Sequence, residues 1–381
     1  MGKIDELIKQ FCPDGVKSAK LGDICNILDS KRKPITKGKR IRGNCPYYGA
    51  NGIQDYVDGY LFDGIYLLLG EDGSVINNDK SPVLNWAVGK IWVNNHAHIL
   101  SEKKEDALLR YLYYALQTCD VSSIVRGTPP KINQANLRNI EIPLPPLAVQ
   151  KEIVEILDTF TGMIDNLQKE LEQRQKQFEY YCESLVGSAK GEVKTLGEIG
   201  RMERGTGLQK SDFRDTGIPC IHYGQIHTYY GTVATETKSF CSEELAKKLR
   251  KAKPGDLLIA TTSEDVEACC KATVWLGEGE VAYSGDSFKF SHNQNPKYIA
   301  YLFKTEAFSK QKRLCATGAK VVRVSGAAME KFKFSFPSLE TQQEIVDKLD
   351  TFEALISNIK QEIELRQKQY EYYREKLLTF E

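Results

Sequence analysis

Apolar positions follow a regular helical pattern in two stretches of this chain. In residues 145–186 they fall at Ile153, Leu157, Phe160, Ile164, Leu167 and Leu171, then at Phe178, Tyr181 and Leu185. In residues 337–378 they fall at Ile345, Leu349, Phe352, Ile356, Ile359 and Ile363, then at Tyr370, Tyr373 and Leu377. The steps alternate four and three, which is the a/d seam of a coiled coil. Each seam is interrupted once, by Arg174 and by Arg366, at equivalent places. Glu, Lys and Gln fill the outer positions. Pro143-Leu144-Pro145-Pro146 and Phe336-Pro337-Ser338 precede the stretches, as expected of a proline-bounded helix start. About 40 residues at roughly 1.5 Å each predict some 60 Å of helix. That is too long for one helix inside a small domain, so the two are expected to pair. The competing arrangement is two surface helices, each packed on its own domain. In a pair, two readings of the arginines compete: their side chains snorkel out and merely interrupt the seam, or they lock the register. Their partners would be carboxylates such as Glu170 and Glu362, or seam-edge glutamines, presented by the facing helix.

The two stretches are copies. They align without a gap at an offset of 192, with about 23 of 42 positions identical, and Arg-Gln-Lys-Gln-(Phe/Tyr)-Glu-Tyr-Tyr recurs intact. Such self-similarity marks a duplicated unit. Leu21-Gly22-Asp23-Ile24 also matches Leu196-Gly197-Glu198-Ile199, and Arg110-Tyr111-Leu112-Tyr113 echoes Ala300-Tyr301-Leu302-Phe303. Each half therefore runs from a variable globular region into a near-constant helix. The expected divisions are 1–144, 145–186, 187–336 and 337–381, with the second variable region the longer.

Composition is that of an ordinary folded chain, 41% apolar and 27% charged over 381 residues. The start carries no apolar run of a secretory signal, and no run suits a membrane span. Ten cysteines without zinc spacing read as free, structural thiols of a cytoplasmic protein. The formal net charge of +1 hides a segregation. Residues 1–144 carry about +3 and 187–336 about +6, while 145–186 and 337–381 carry about −4 each. Polyanion binding is thus expected of the globular regions and protein pairing of the helices.

The basic residues cluster. Lys31, Arg32, Lys33, Lys37, Lys39, Arg40 and Arg42 lie within twelve residues that hold no acid, with Tyr47-Tyr48 following, and Tyr47 is expected to join them in contacting DNA. Pro34, Gly38 and Gly43 make this a loop. Seven like charges repel unless an anion arrives, so phosphate tracking is favoured over a merely solvated loop. In the second region Arg201, Arg204, Lys210 and Arg214 interleave with Gly205 and Gly207. His222, Tyr223, Gln225 and His227 follow, residue types that reach base edges from a loop. Late in each region comes a Gly-basic stretch, with Arg126, Gly127, Thr128 and Lys131 in one and Gly318, Lys320 and Arg323 in the other. A loop present in both copies is the better candidate for DNA contact.

Catalytic chemistry is not written in the chain. There is no Gly-x-x-x-x-Gly-Lys-(Ser/Thr) loop and no (Asp/Asn/Ser)-Pro-Pro-(Tyr/Phe) clamp. Pro13-Asp14 followed by Asp29-Ser30-Lys31 fits a nuclease pattern only formally. His96 and His98 alternate in a way that suits a strand with one polar face better than a metal site, and the Glu264–Glu267 run beside Cys269-Cys270 lacks metal spacing.

Two variable basic domains, each followed by a repeated helix, resemble the specificity subunit of type I restriction–modification systems. The residues that carry the resemblance are Gln150-Lys151-Glu152-Ile153-Val154 and Gln342-Gln343-Glu344-Ile345-Val346, the Leu-Asp-Thr-Phe blocks, and Arg174-Gln175-Lys176-Gln177 with Arg366-Gln367-Lys368-Gln369. Asn136-Leu137 with Ile140-Glu141-Ile142-Pro143 also fits. The second half departs there, at Ala328-Met329 and Phe332-Lys333-Phe334, so its entry into the helix is expected to differ in detail. The resemblance implies an α/β (α+β) fold. Two mixed α/β target-recognition domains would be separated by a long antiparallel coiled coil with pseudo-two-fold symmetry. It also implies that each domain reads one half of a bipartite, asymmetric site in double-stranded DNA. The helices would set the spacing and dock two methyltransferase subunits, with restriction subunits joining the complex. The chain itself would be non-catalytic and hold no cofactor, while S-adenosylmethionine, ATP and magnesium would bind the partner subunits. The alternatives are a single-chain restriction enzyme and a coiled-coil scaffold with no DNA role.

Overall fold

The computed structural model describes residues 2–103, 107–318 and 320–380. Two compact units emerge. One comprises Met1–Gln168 with Glu362–Glu381, the other Lys169–Gln361. The long helices are Leu147–Cys182 and Leu339–Leu378, and each contributes residues to both units.

Each unit ties the beginning of its globular region to the end with a short antiparallel ribbon. Ser18–Lys20 pairs with Glu141–Pro143, and Glu192–Thr195 pairs with Lys333–Phe336. The first strand of each ribbon runs into a one-turn helix, Leu21–Ile24 or Leu196–Ile199. These are the Leu-Gly-(Asp/Glu)-Ile repeats, and their second residue has a steric reason. A Cβ on Gly22 would sit 2.9 Å from the Arg138 side chain, and one on Gly197 would sit 3.2 Å from the Glu330 carbonyl oxygen. The Leu21 N–H donates to the Ile140 carbonyl at 2.8 Å, and the Leu196 N–H to the Phe332 carbonyl at 3.0 Å. The entry into the second helix thus differs from the first only in detail, its ribbon pairing four residues against three. Different side chains build the same backbone path.

The sheets repeat as well. In the first unit six strands lie in the order Cys25–Ile27, Ala97–Glu102, Phe62–Gly70, Leu84–Val93, Arg42–Gly49, Gly52–Val57. In the second unit five strands lie in the order Gly200–Arg204, Ser287–His292, Leu257–Ala260, Lys271–Trp275, Val233–Ala234. Both orders run through three antiparallel pairings to one parallel pairing, Arg42–Gly49 with Leu84–Val93 and Val233–Ala234 with Lys271–Trp275. The second unit adds a four-stranded sheet of Ser239–Cys241, Ile218–Ile221, Val281–Tyr283 and Lys251–Ala252. That insertion accounts for the longer second variable region.

A short helix behind each sheet receives a long helix. Leu109–Leu116 serves the first unit and Pro296–Leu302 the second. Arg110 Nε meets Asp158 at 2.6 Å, and the Tyr114 hydroxyl donates to the same carboxylate at 2.5 Å. In the other unit Lys297 Nζ meets Asp350 at 2.5 Å, and the Tyr301 hydroxyl donates to Asp350 at 2.6 Å. Asp158 and Asp350 are equivalent in the repeat. These bonds correct the sequence echo: Tyr111 and Tyr114 correspond to Tyr298 and Tyr301, three residues earlier than the Tyr111-to-Tyr301 match. Burial first, and then the neighbouring carboxylates, push the Tyr114 and Tyr301 phenols well above their ordinary value, so both remain donors.

The seam residues divide by position. Ile153, Leu157 and Ile164 are buried with the first unit's core, and Ile345 and Leu349 with the second's. The N-terminal part of each helix thus packs on its own domain, as the competing arrangement expected. The facing helix closes the other side. In the first unit Phe160 stacks on Tyr373, ring centres 5.2 Å apart; in the second, Phe352 stacks on Tyr181 at 5.0 Å. By the repeat these are the same pair made twice. In each unit the early part of one helix meets the late part of the other, so the pairing is antiparallel. Ile359 is buried, while Leu167, Leu171, Ile356 and Ile363 are only half-buried, as in a two-helix seam with solvent on its flanks.

Of the two readings of the arginines, the structure matches snorkelling, and the cross-helix role is corrected. Arg174 bonds Glu170 at 3.3 Å and Gln177 at 3.0 Å; Arg366 bonds Glu362 at 2.8 Å and Gln369 at 2.9 Å. All four partners lie on the arginine's own helix, one turn away. The guanidinium runs along the helix surface and leaves the seam, as a long amphipathic side chain does.

Candidate nucleic-acid interface

The basic loop of the first unit spans two 3-10 turns, Asp29–Lys31 and Lys37–Lys39, ahead of the strand Arg42–Gly49. Lys31, Lys33, Lys37, Lys39 and Arg42 are exposed. Lys37, Arg40 and Arg42 line a recess of about 670 Å³. Arg40 is held in place: its Nε donates to the Ile35 carbonyl at 3.1 Å, its Nη1 meets Asp55 at 3.1 Å, and its guanidinium lies over the Tyr47 ring at 4.3 Å. Tyr47 itself is 1% exposed and its hydroxyl accepts from the Ile35 N–H at 3.0 Å. The expectation that Tyr47 contacts a ligand is therefore corrected: the ring is the floor on which the loop rests.

Arg32 is also corrected, from free cation to brace. Its Nε donates to the Asp29 carbonyl at 3.0 Å, its Nη1 donates to the Ala97 carbonyl at 2.9 Å, and the same nitrogen pairs with Glu71. Lys131, from the late loop, reaches the other Glu71 oxygen at 3.0 Å. Asp29 accepts from His98 at 2.6 Å and from Gln134 Nε2 at 3.0 Å. Burial works to raise both carboxyls, but the bonds and cations outweigh it. Asp29 is lowered by His98, the Ile99 N–H and Arg32, and Glu71 by Arg32 and Lys131. The ligand atoms of Asp29, Glu71 and His98 lie within 4.8 Å of one another, a spacing that suits a metal. Arg32, Lys131 and Gln134 already fill that role with N–H donors, so the cluster is a salt network. The formal nuclease pattern dissolves here, because Asp29 is buried and fully engaged.

The late loops are the same device in both units. Residues 126–131 close through paired bonds, Arg126 N–H to the Lys131 carbonyl at 3.0 Å and Lys131 N–H to the Arg126 carbonyl at 2.8 Å. Residues 317–323 close likewise, Thr317 N–H to the Arg323 carbonyl at 3.0 Å and the reverse at 2.8 Å. Gly127 and Gly318 take the left-handed conformation just after the first closing residue, at φ +85° and +106°, where a side chain is strained. Arg126, Thr128 and Lys131 are exposed on one loop, Lys320 and Arg323 on the other. Ala319 of the second loop lies outside the described residues.

The other candidates of the second unit divide. Arg204 and Lys210 are exposed, with Arg204 Nε anchored to the Gly285 carbonyl at 2.8 Å. The 222–227 segment is corrected from loop to helix, Tyr223–Thr228. His222 caps it, its Nδ1 accepting from the Gly224 N–H at 3.1 Å, and Gln225 Oε1 accepts from the His222 N–H at 3.0 Å. Burial, then the nearby Lys210, lower His222, so the ring stays neutral as the cap requires. Gln225 is buried and donates to Ser239 at 2.8 Å. His227 Nε2 meets the Thr262 carbonyl at 3.0 Å. Tyr223 is half-buried between His222 and His227. His222 and Gln225 thus hold the segment, while Tyr223 and His227 keep part of their surface exposed. A residue that sequence reasoning passed over is Lys90, set over the exposed Tyr60 ring at 4.7 Å. Lys238 lies over Tyr229 at the same distance.

Among the described residues no helix is long and apolar enough to cross a membrane. The family model described as type I restriction modification DNA specificity domain matches twice, over residues 13–174 and 190–365. A chain assigned as the specificity subunit of a type I restriction enzyme in Haemophilus influenzae is 35% identical, over 94% of each chain. The EcoR124I/EcoR124II specificity subunit of Escherichia coli is 30% identical, over 86% of this chain and 89% of that one. The crystal structure of the type I restriction–modification S subunit from M. genitalium shares the fold. Its TM-score is 0.61 at 15% identity, covering 95% of this chain and 96% of that one. With two copies of one sheet domain, two copies of one loop and two matches to one model, the chain belongs to the family of type I restriction–modification DNA specificity subunits.

Proposed function

We propose that each globular domain reads one half of a bipartite, asymmetric DNA site, and that the paired helices set the spacing and dock two methyltransferase subunits, which restriction subunits join. One observation carries this reading. The same sheet order and the same closed basic loop occur twice, while the side chains around them differ. A duplicated scaffold with unlike surfaces suits two unlike half-sites. S-adenosylmethionine, ATP and magnesium are assigned to the partner subunits, and no catalytic role is assigned to this chain. The cytoplasm is the expected compartment. Replacing residues 187–336 with the second domain of another family member is the direct test. Sequencing of methylated sites should show one half-site exchanged and the other kept. Exchange of both would show that the halves do not read independently.

The exposed loop cations have a separate signature. Neutralising Lys37, Lys39 and Arg42 together should weaken binding to all sequences. The slope of log K against log salt should flatten by roughly 0.9 for each phosphate that is no longer neutralised. Arg32 is excluded from that set because its removal would take away one of the two cations paired with Glu71. An unchanged slope would mark the loop as a solvated surface.

A further inference from the structure

His98 is fully buried, and both ring nitrogens face acceptors. Nδ1 lies 2.6 Å from Asp29 Oδ2, and Nε2 lies 2.8 Å from the Ile132 carbonyl oxygen. A carbonyl only accepts, so Nε2 donates to Ile132, and Nδ1 is hydrogen-bonded to the Asp29 carboxyl. The ring lies between Asp29 and Glu71, with Arg32 and Lys131 paired to the same carboxylates. This places His98 at the junction of two loops. Through Asp29 it touches the root of the basic loop, and through Ile132 it touches the residue that follows the closed loop 126–131.

The second domain supplies the comparison. Its late loop is anchored by Val324 N–H to the Thr261 carbonyl, as the first is by Ile132 N–H to the Glu71 carbonyl. Counting from those anchors along the paired strands, Leu69 opposite His98 corresponds to Ile259 opposite Phe288. Phe288 packs against Gly326, where an added Cβ would meet the ring at 2.5 Å. Thus the strand position that carries a histidine between carboxylates in the first domain carries, in the second, a phenyl ring against a glycine.

We propose that His98 is a positioning residue, which fixes the basic loop and loop 126–131 as one edge and so sets base discrimination at the first half-site alone. The proposal rests on the half-site reading above. Two variants test it in the complex with methyltransferase subunits: His98→Gln, which removes the ring, and Glu71→Gln, which keeps shape and removes charge. For each, hydrogen exchange at the Arg126 and Lys131 amides is followed, with Thr317 and Arg323 as the internal control. Discrimination is measured on duplexes with base changes in either half-site. Exchange at 126 and 131 should accelerate while 317 and 323 hold. Discrimination in the first half-site should fall about tenfold, the scale of one misaligned base pairing with a side chain, with the second unchanged. Equal loss at both half-sites, or an unchanged first half-site in both variants, overturns the positioning role. If the unaltered complex shows no dependence on a bipartite site, the half-site reading itself fails, and this proposal falls with it.

Discussion

Replacing Gln342 with leucine should destabilise the second unit by about 2–4 kcal/mol, because one amide satisfies three otherwise stranded groups. Gln342 has no exposed surface. Its Nε2 donates to the Pro337 carbonyl at 2.9 Å and to Gln294 Oε1 at 2.7 Å, and its Oε1 accepts from the Asn295 N–H at 3.0 Å. Leucine fills similar volume but leaves the part-buried carbonyl and N–H without these partners. Gln150 repeats the arrangement in the first unit, donating to the Pro145 carbonyl at 2.8 Å and accepting from the Leu108 N–H at 2.9 Å. Gln150→Leu should therefore cost a similar amount there. Thermal unfolding checks both, with midpoint shifts of about 2–4 °C per kcal/mol for a unit of this size. Gln343→Leu, on the exposed side of the same turn, should shift the midpoint far less. A Gln342→Leu protein with an unaltered midpoint would show that the helix start is held by apolar packing alone.

These glutamines show what was legible in the sequence and what was not. The Gln-x-Glu-Ile-Val blocks were visible as a repeat, and a polar residue kept at one place in both copies was the available signal of a buried amide. The helices, their seam and their pairing were legible because helical periodicity is local and recurs over ten turns. The shared sheet order was not. Strand partners lie far apart in the chain, as with Ile27 and Leu100 or Met202 and Phe290, and the two sets of strands differ in sequence. The basic loop was legible as charge, but not which charges are free. Arg32 is used up by Glu71, 39 residues away, and Asp29 by His98, 69 residues away. Tyr47 was misread for the same reason, since the strand Arg42–Gly49 turns its ring inward under Arg40. Counting charges finds the loop, whereas finding the free cations requires the acids that fold against it.

Removing the stacked rings should disturb helix pairing far more than removing the seam arginines. Phe160 and Phe352 are half-buried and each stacks on a tyrosine of the facing helix, at interplanar angles of 22° and 27°. Phe→Ala at a core site costs about 3–5 kcal/mol, so at half burial about 2 kcal/mol per site is expected, or roughly 4 kcal/mol for Phe160→Ala with Phe352→Ala. The arginines lie in own-helix ladders, Glu170–Arg174–Gln177 and Glu362–Arg366–Gln369, and such pairs contribute about 0.3–0.5 kcal/mol each. Arg174→Leu with Arg366→Leu should therefore stay within about 1 kcal/mol of the unaltered protein, since added seam burial offsets the missing ladder. The functional consequence follows from the spacer role proposed for the helices. A slip of one heptad moves a helix by about 10 Å, roughly three base pairs. Such a slip has to pull each phenyl ring off its tyrosine. In methylation assays on duplexes with varied spacers, the double alanine protein should accept spacers that the unaltered protein rejects, while the double leucine protein keeps its preference. If the double leucine protein loses its spacing preference and the double alanine protein does not, the own-helix ladders govern register, and the stacked rings contribute stability alone.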